Sequence, residues 1–441
     1  MERTLIKDLK NKVGEVVTIK GWISVRRDQG KLVFFDIRDR SGTVQGVALP
    51  KSEAIEAAKE TRLESVVAIE GKVNQRPEKN RKDKVENGDI ELEILQLTTL
   101  AQAEALPFDM SADGFNLDLT TELDHRALTL RHPRLQAIFK VQAVIIDSFR
   151  EFMKSQDFFE FQAPSIAPAT AEGGAEVFEV NYFDKKAYLS QSPQLYKQIV
   201  MTAFERVFSV NKVFRAEPSA TTRHLTEVVS LDAEMAFIDS WEDVRDMSEA
   251  TVRHILDQVK EKCAKELAFL GAELPTMIDK TPTLSLTEVF QKLGMPVDKD
   301  LNPEQERRIC EIIKEETGSD FVYVYGYPTR QKPFYVYPNP EDPTSNEGMD
   351  LLCRGVEWLS GGRRINDYQQ LMKHVEEWGM DPKKIEMFLE AFRYGVPPEG
   401  GFAFGAERMT MQILGLANIR EAAMFPRDMN RIDHRLSEET S

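Results

Sequence analysis

Charged side chains crowd into "VFRAEPSATTRHLTEVVSLDAEM". This stretch reads as strand, loop, strand, and alternate residues of a strand share a face. Arg215 and Glu217 therefore point one way, with Phe214 and Ala216 opposite. On the return strand Val228, Ser230, Asp232 and Glu234 share a face, and the loop adds Arg223 and His224. Such a face is either a solvated surface laced with ion pairs or a site for a charged ligand. In "GGFAFGAERM" small and large residues alternate from Gly401 to Ala406, which lets a backbone or a flat ligand approach closely. The helix that follows carries Arg408 in its first turn, against the helix dipole. A bound phosphate would satisfy that arginine; so would Glu407 or a neighbouring carboxylate. In "GMDLLCRGVEWLSGGRRI" Asp350 and Glu357 flank an Arg354-Gly355 turn. They either converge across a hairpin, where a shared Mg²⁺ relieves their repulsion, or lie on different faces. In "QSPQLYKQ" Lys197 stands at what reads as a buried helix start. Lysine is rarely buried unpaired. It either reaches water along its stem or awaits an anion that is not part of the protein. No GxxxxGK[ST] and no GxGxxG after a strand is present, so a nucleotide would be held by arginines and a metal.

These stretches need a scaffold. Alternating, turn-punctuated segments "VVTIKGWISV", "KLVFFDIRDRSG" and "TVQGVAL" are followed by a helical "KSEAIEAAKE", then "SVVAIEGKV" and "DIELEILQLTTL". Five short strands with a helix after the third match an OB-fold, a barrel that often binds nucleic acid. The expected organisation is α+β. An OB-fold domain spans 1–103 and a connector spans 104–130. A domain with an antiparallel sheet flanked by helices spans 131–441, with a helical insertion at about 240–320. A long amphipathic helix opens the larger domain, with Ile138, Val141, Ile145, Phe149 and Phe152 at helical spacing.

The 441 residues are too many for one ordinary core. No apolar run approaches the length of a membrane span and no apolar signal region opens the chain. Cys263, Cys310 and Cys353 lie far apart without CxxC spacing, which suits a reducing cytoplasm. The net charge of -16 speaks against nucleic acid, yet residues 1–100 hold 19 Lys and Arg against 17 Asp and Glu. The N-terminal domain is thus the better place for a polyanion.

With these residues in place, the chain resembles the class II aminoacyl-tRNA synthetases, within them the aspartyl/asparaginyl subgroup and its archaeal-type aspartyl enzymes. Three motifs match in order: the long helix leading to "FFEFQAPSI", with Pro164 at the family's dimer interface, then "FRAE…TRHLTEVVSLDAEM", then "GGFAFGAERM". The resemblance implies activation of L-aspartate by ATP with Mg²⁺, then transfer to tRNA(Asp), with tRNA(Asn) as a further acceptor, by a cytoplasmic homodimer. It implies that Arg215 and Arg408 are catalytic, on the α- and γ-phosphates, with Glu217, Arg223, His224 and Glu357 around ATP. Asp350, Glu357 and Ser360 would hold Mg²⁺. Glu172, Ser192, Gln194, Lys197, Asp232, Ser360 and Arg364 would surround aspartate, Lys197 and Arg364 clamping its β-carboxylate. In the OB-fold, Arg27, Phe34 and Gln45 would meet the anticodon. Strand alternation leaves only one of Phe34 and Phe35 outside the barrel, and the motif selects Phe34.

The chain departs from the family at Val228, where many relatives have Phe, and at Asn366 and Glu399, where His is usual. Three other readings compete. An asparaginyl enzyme is opposed by Lys197 and Pro193. A tRNA-independent amino-acid ligase is opposed by the anticodon-binding domain. A non-catalytic OB-fold binder is opposed by Arg215 and Arg408.

Overall fold

A computed structural model describes residues 2–82, 85–111, 115–168, 176–217 and 221–436. They form two compact units that divide between Leu117 and Asp118.

In the first unit the alternating segments become β1 (Val16–Asp28), β2 (Val33–Asp39), β3 (Gly42–Ala48), α1 (Ile55–Glu60), β4 (Val66–Gln75) and β5 (Ile90–Ala101). The strands close into a barrel in the order β1-β2-β3-β5-β4, which leaves no edge to pair with another chain. The expected OB-fold is present, with its helix after the third strand. Period-two alternation fills the interior: β2 sends Val33, Phe35 and Ile37 inward, and Phe35 is fully buried. Phe34, one position away, therefore faces outward.

The second unit opens with α2 (Leu119–Asp124), α3 (Arg126–Thr129) and α4 (Pro133–Ser155), followed by β6 (Phe159–Glu160) and β7 (Ile166–Ala167). The expected connector at 104–130 is thus divided, its last residues folding with this unit. His132 caps α4 by accepting the Arg134 N–H, and Pro133 follows as the first helical residue. Next come β8 (Glu179–Tyr182), β9 (Lys185–Leu189), α5 (Gln194–Phe204), β10 (Arg206–Phe214) and β11 (Glu227–Ala236). The segment expected as a helical insertion holds α6 (Trp241–Lys262), α7 (Ala264–Leu270), a short β12 (Thr283–Ser285), α8 (Leu286–Leu293) and α9 (Pro303–Thr317). The chain then forms β13 (Phe321–Tyr325), β14 (Gly348–Cys353), β15 (Val356–Arg364), α10 (Tyr368–Glu377), α11 (Glu386–Arg393), β16 (Glu399–Gly405) and α12 (Ala406–Leu414).

Eight strands make one sheet in the order β12-β13-β14-β15-β16-β11-β10-β6. The six central strands are antiparallel, as expected, and the two edge strands pair in parallel. One face packs on α4, where Phe149 meets Phe208 and Phe404 edge-on at 5.7 and 6.4 Å. The opposite face carries the polar residues.

Candidate active site

Residues facing each other across an antiparallel ladder lie on one side of the sheet. One such row runs Asp350 (β14), Ser360 (β15), Ala403 (β16), Asp232 (β11) and Ser209 (β10). The next row is Gly348, Gly362, Gly401 and Glu234, and beyond it Arg364 faces Glu399. Small residues at the centre leave a floor, and charged residues stand at its ends. A cavity of about 310 Å³ opens there. All the described residues expected around nucleotide or amino acid line it: Arg215, Glu217, Arg223, His224, Glu357 and Arg408, together with Ser192, Gln194, Lys197, Asp232, Ser360 and Arg364. Glu172 lies outside the described residues.

The Arg354-Gly355 turn has φ of 48° and 77°, so β14 and β15 form a two-residue hairpin with both central residues left-handed. Glycine at 355 is required twice over. A Cβ there would also come 2.6 Å from Arg307 Cγ and 2.8 Å from Arg307 Cα, because α9 lies against the turn. The hairpin places Asp350 and Glu357 on one face, and a register shift between Leu351 and Leu352 adds Ser360 to it. Without that bulge Ser360 would face the other way. Lys332 holds both oxygens of Asp350 at 2.7 Å, which takes Asp350 out of the cavity lining. Burial, and then the Asp350 charge, push the Glu357 carboxyl above its usual range.

Arg408, Lys332 and Arg215 bring positive charge toward this acid. Arg408 donates to the Glu357 carbonyl at 2.9 Å and to its carboxylate at 3.3 Å. The neighbouring-carboxylate partner is therefore realised for Arg408 in this structure, whereas Glu407 turns away to accept the Val229 N–H. Burial lowers the His224 pKa. Glu217 opposes the fall, while Arg408, Arg215 and Arg223 add to it, so the ring is neutral at pH 7. Arg223 pairs with Glu306 of α9 at 3.1 Å. Glu306 was not legible as a site residue. "NPEQE" marks a helix start, and the cap is present with Asn302 and Gln305, but nothing local says what the helix faces. Burial first, then Glu357, raise the Glu306 carboxyl to about 7.

At the other end, Lys197 neither reaches water nor stands unpaired. It is 1% exposed and lies 3.3 Å from Asp232 and 3.0 Å from Glu234. The expectation of a lysine without a protein partner is corrected: two carboxylates from the facing strand supply one. Glu234 also accepts from Arg364 Nε at 2.9 Å, and Arg364 donates to the Gly401 carbonyl. Gly401 is glycine because a Cβ would lie 2.0 Å from Glu234 Oε2 and 2.2 Å from the Ala233 carbonyl oxygen, so its bareness lets the neighbouring backbone and a buried carboxylate approach closely. Gln194 donates to Gln198, and Gln198 to Glu399, at 2.9 and 2.7 Å. Glu399 is fully buried, and burial and the Glu234 charge push its carboxyl well above the usual range. It lies behind the Lys197 and Arg364 cations and the Glu234 carboxylate. Val228 sits in the cavity wall beside the Leu225, Met411 and Ile419 cluster, and Asn366 donates to the Val396 carbonyl.

Among the described residues no group of three or more His, Cys, Asp or Glu forms a metal cluster. The oxygen donors Glu357 and Ser360, with Asp350 behind them, fit Mg²⁺, which takes one or two carboxylates and completes its shell with phosphate and water. Glu357 and Asp350 stand on one face of the hairpin, and a cation between them would offset their repulsion.

On the barrel, Phe34 faces Arg27 across β1 and β2, and Asp36 faces Gln45 across β2 and β3, so all four share the outer surface. Arg27 donates to Asp36 at 2.9 and 3.2 Å and to Gln45 at 3.2 Å. Ser24 lies at a β1 bulge and donates to the Asp36 carbonyl. Pro164 is exposed between β6 and β7.

A family model described as tRNA synthetases class II (D, K and N) matches residues 118–429, and one described as OB-fold nucleic acid binding domain matches 17–100. The Aspartate--tRNA(Asp/Asn) ligase of Deinococcus radiodurans is 40% identical, covering 98% of this chain and 99% of its own. The Aspartate--tRNA(Asp) ligase of Pyrococcus horikoshii is 38% identical, covering 95% and 96%. The solved asparaginyl-tRNA synthetase from Pyrococcus horikoshii, complexed with asparaginyl-adenylate, matches with a TM-score of 0.89 at 33% identity, over 98% of this chain and 99% of that one.

Proposed function

The chain belongs to the class II tRNA synthetases (D, K and N), and from that premise we propose how its residues join aspartate to tRNA. The α-carboxylate of L-aspartate attacks the α-phosphorus of ATP in line, giving aspartyl-adenylate and pyrophosphate. The 3′-terminal ribose hydroxyl of tRNA(Asp) then attacks the activated carbonyl, and AMP leaves. No side chain forms a covalent intermediate. The protein positions the reactants and neutralises charge.

The observation that carries this reading is the cavity's polarity. One end gathers Arg215, Arg223, His224 and Arg408, the set suited to a triphosphate. The other end buries Lys197 and Arg364 among Asp232 and Glu234. Arg215 and Arg408 take the phosphates and Glu217 lies toward the base. Lys197 and Arg364 take the β-carboxylate, with Asp232, Ser192 and Gln194 on the ammonium side. Glu357 and Ser360, with Asp350 as support, would hold Mg²⁺. That ion would neutralise phosphate charge and orient the leaving pyrophosphate. A neutral amide in place of the β-carboxylate would leave the buried cations less well matched, which disfavours asparagine. Aspartate-dependent pyrophosphate exchange tests the reading. Exchange that prefers asparagine, or no exchange by folded protein with Mg²⁺, would overturn it.

The barrel's outer face takes the anticodon, Phe34 stacking on a base beside Arg27 and Gln45. Phe34→Ala is expected to lower tRNA charging by roughly 5- to 100-fold, the worth of one stacked base. Pyrophosphate exchange should not change. Equal losses in both assays would make Phe34 a structural residue.

We place both tRNA(Asp) and tRNA(Asn) among the acceptors. Ser24 is a small residue beside the Arg27–Asp36 pair, and the Deinococcus relative's name includes both acceptors. Purified tRNA(Asn) should accept aspartate within about an order of magnitude of tRNA(Asp), a gap of ~1.4 kcal/mol. Failure to charge it would make the chain discriminating. A homodimer is supported by apolar surface at the β6 edge, where Phe159 and Phe204 stack at 4.2 Å while each stays nearly half exposed. A cytoplasmic setting is supported by three buried, unpaired cysteines. No described helix is long and apolar enough to cross a membrane.

A further inference from the structure

We propose that Glu306, delivered by the helical insertion, is a positioning residue for ATP: it holds the Arg223 guanidinium at the phosphate end of the cavity before nucleotide enters. The inference rests on the reading of that cavity as the ATP site.

Three observations carry it. First, the contact spans 83 residues of sequence and joins the insertion to the loop that also bears His224. Glu306 Oε2 accepts from Arg223 Nη1 at 3.1 Å, and both side chains are about four-fifths buried. An exposed ion pair would be worth little; this one is shielded.

Second, both ends of the pair are anchored. On the Glu306 side, α9 is capped by Asn302, which accepts from the Glu304 and Gln305 N–H groups. One residue on from Glu306, Arg307 packs against Gly355 so closely that no side chain fits between them. The helix is therefore seated on the same hairpin that presents Glu357. On the Arg223 side, the backbone N–H bonds to Thr221 Oγ1, Arg420 donates to the Thr221 carbonyl, and Ile419 N–H donates to the Thr222 carbonyl. With both backbones fixed, the long arginine side chain is what remains to be ordered.

Third, the geometry leaves Arg223 able to act. A guanidinium has five N–H donors in a rigid fork. Glu306 is bonded through Nη1, so the fork can meet a phosphate while the carboxylate still holds it. Ordering a rotamer-rich side chain in advance removes part of the cost of binding. The simpler alternative, an ion pair that only ties the insertion down, predicts a loss of stability and no particular link to ATP.

The test is aspartate-dependent pyrophosphate exchange with ATP and aspartate varied separately. Glu306→Ala is expected to raise KM for ATP by about fivefold to tenfold, the scale of one immobilised side chain, with KM for aspartate unchanged. Glu306→Gln keeps an acceptor and should lose only about twofold to threefold, since a neutral acceptor retains part of the hydrogen bond. In an Arg223→Ala background, Glu306→Ala should add nothing further. The inference is overturned if Glu306→Ala leaves KM for ATP unchanged. It is equally overturned if both Michaelis constants rise together, or if the effect persists without Arg223. Absence of exchange in the unaltered chain would overturn the ATP-site reading along with it, whereas normal exchange with an inert Glu306 would overturn this inference alone.

Discussion

Lys197→Met is expected to lower kcat/KM for aspartate in pyrophosphate exchange by roughly 10³-fold. Truncating one partner of a buried charge pair between protein and ligand costs about 2–5 kcal/mol of binding, and every ~1.4 kcal/mol is tenfold. Methionine keeps the length of the stem, so packing on α5 is nearly preserved. What disappears is the charge that lies between Asp232 and Glu234. Two consequences follow from that position. Those carboxylates are left facing an incoming β-carboxylate, so aspartate is repelled as well as unheld. The fold also loses stability, because Asp232 and Glu234 are each at most 1% exposed and retain fewer partners. Thermal unfolding should therefore shift downward, while KM for ATP, set at the far end of the cavity, stays near its parent value. An unaltered KM for aspartate would refute the assignment.

Arg408→Ala is expected to reduce the rate of adenylate formation by about 10³-fold or more, the range found where an arginine stabilises a transferring phosphoryl group. In this structure the guanidinium rests on the carbonyl and carboxylate of Glu357. It is therefore oriented from α12 toward the acid that would hold Mg²⁺. Arginine in a first helical turn opposes the dipole, and its contact with the half-exposed Glu357 carboxylate is a long one at 3.3 Å. A bound phosphate would supply the missing counter-charge. Single-turnover formation of aspartyl-adenylate measures the loss, and calorimetric binding of aspartate should be unaffected. A rate within tenfold of the parent would remove Arg408 from the catalytic residues.

Much of the scaffold was legible because it depends on local pattern. Period-two alternation puts only one of Phe34 and Phe35 outside the barrel; the motif selects Phe34, and Phe35 is the buried one. Helical spacing placed Ile138, Val141, Ile145 and Phe149 on the buried stripe of α4. The Arg354-Gly355 turn was legible as a hairpin, but whether Asp350 and Glu357 share a face is decided by the register, which places them together. Ser360 comes from the resemblance and not from counting, because a bulge leaves no mark that alternation can read. At Gly401 the small residue makes room for the Ala233 backbone and the Glu234 carboxylate, the close backbone approach that the alternation allows.

The sequence alone determined which chemistries the chain carries and which strands and helices bear them: arginines at 215 and 408, acids at 350 and 357, a lysine at 197, and the order of elements that holds them. Those features rest on periodicity and turn chemistry over a few residues. Only the tertiary structure decided the pairings. Lys197 meets Asp232 and Glu234, Arg364 meets Glu234, and Arg223 meets Glu306, across 35, 130 and 83 residues of chain. Each pairing depends on strand register and on which helix is laid over which face. Both are settled by packing between distant segments, and a buried charge finds its partner only once that packing has excluded water.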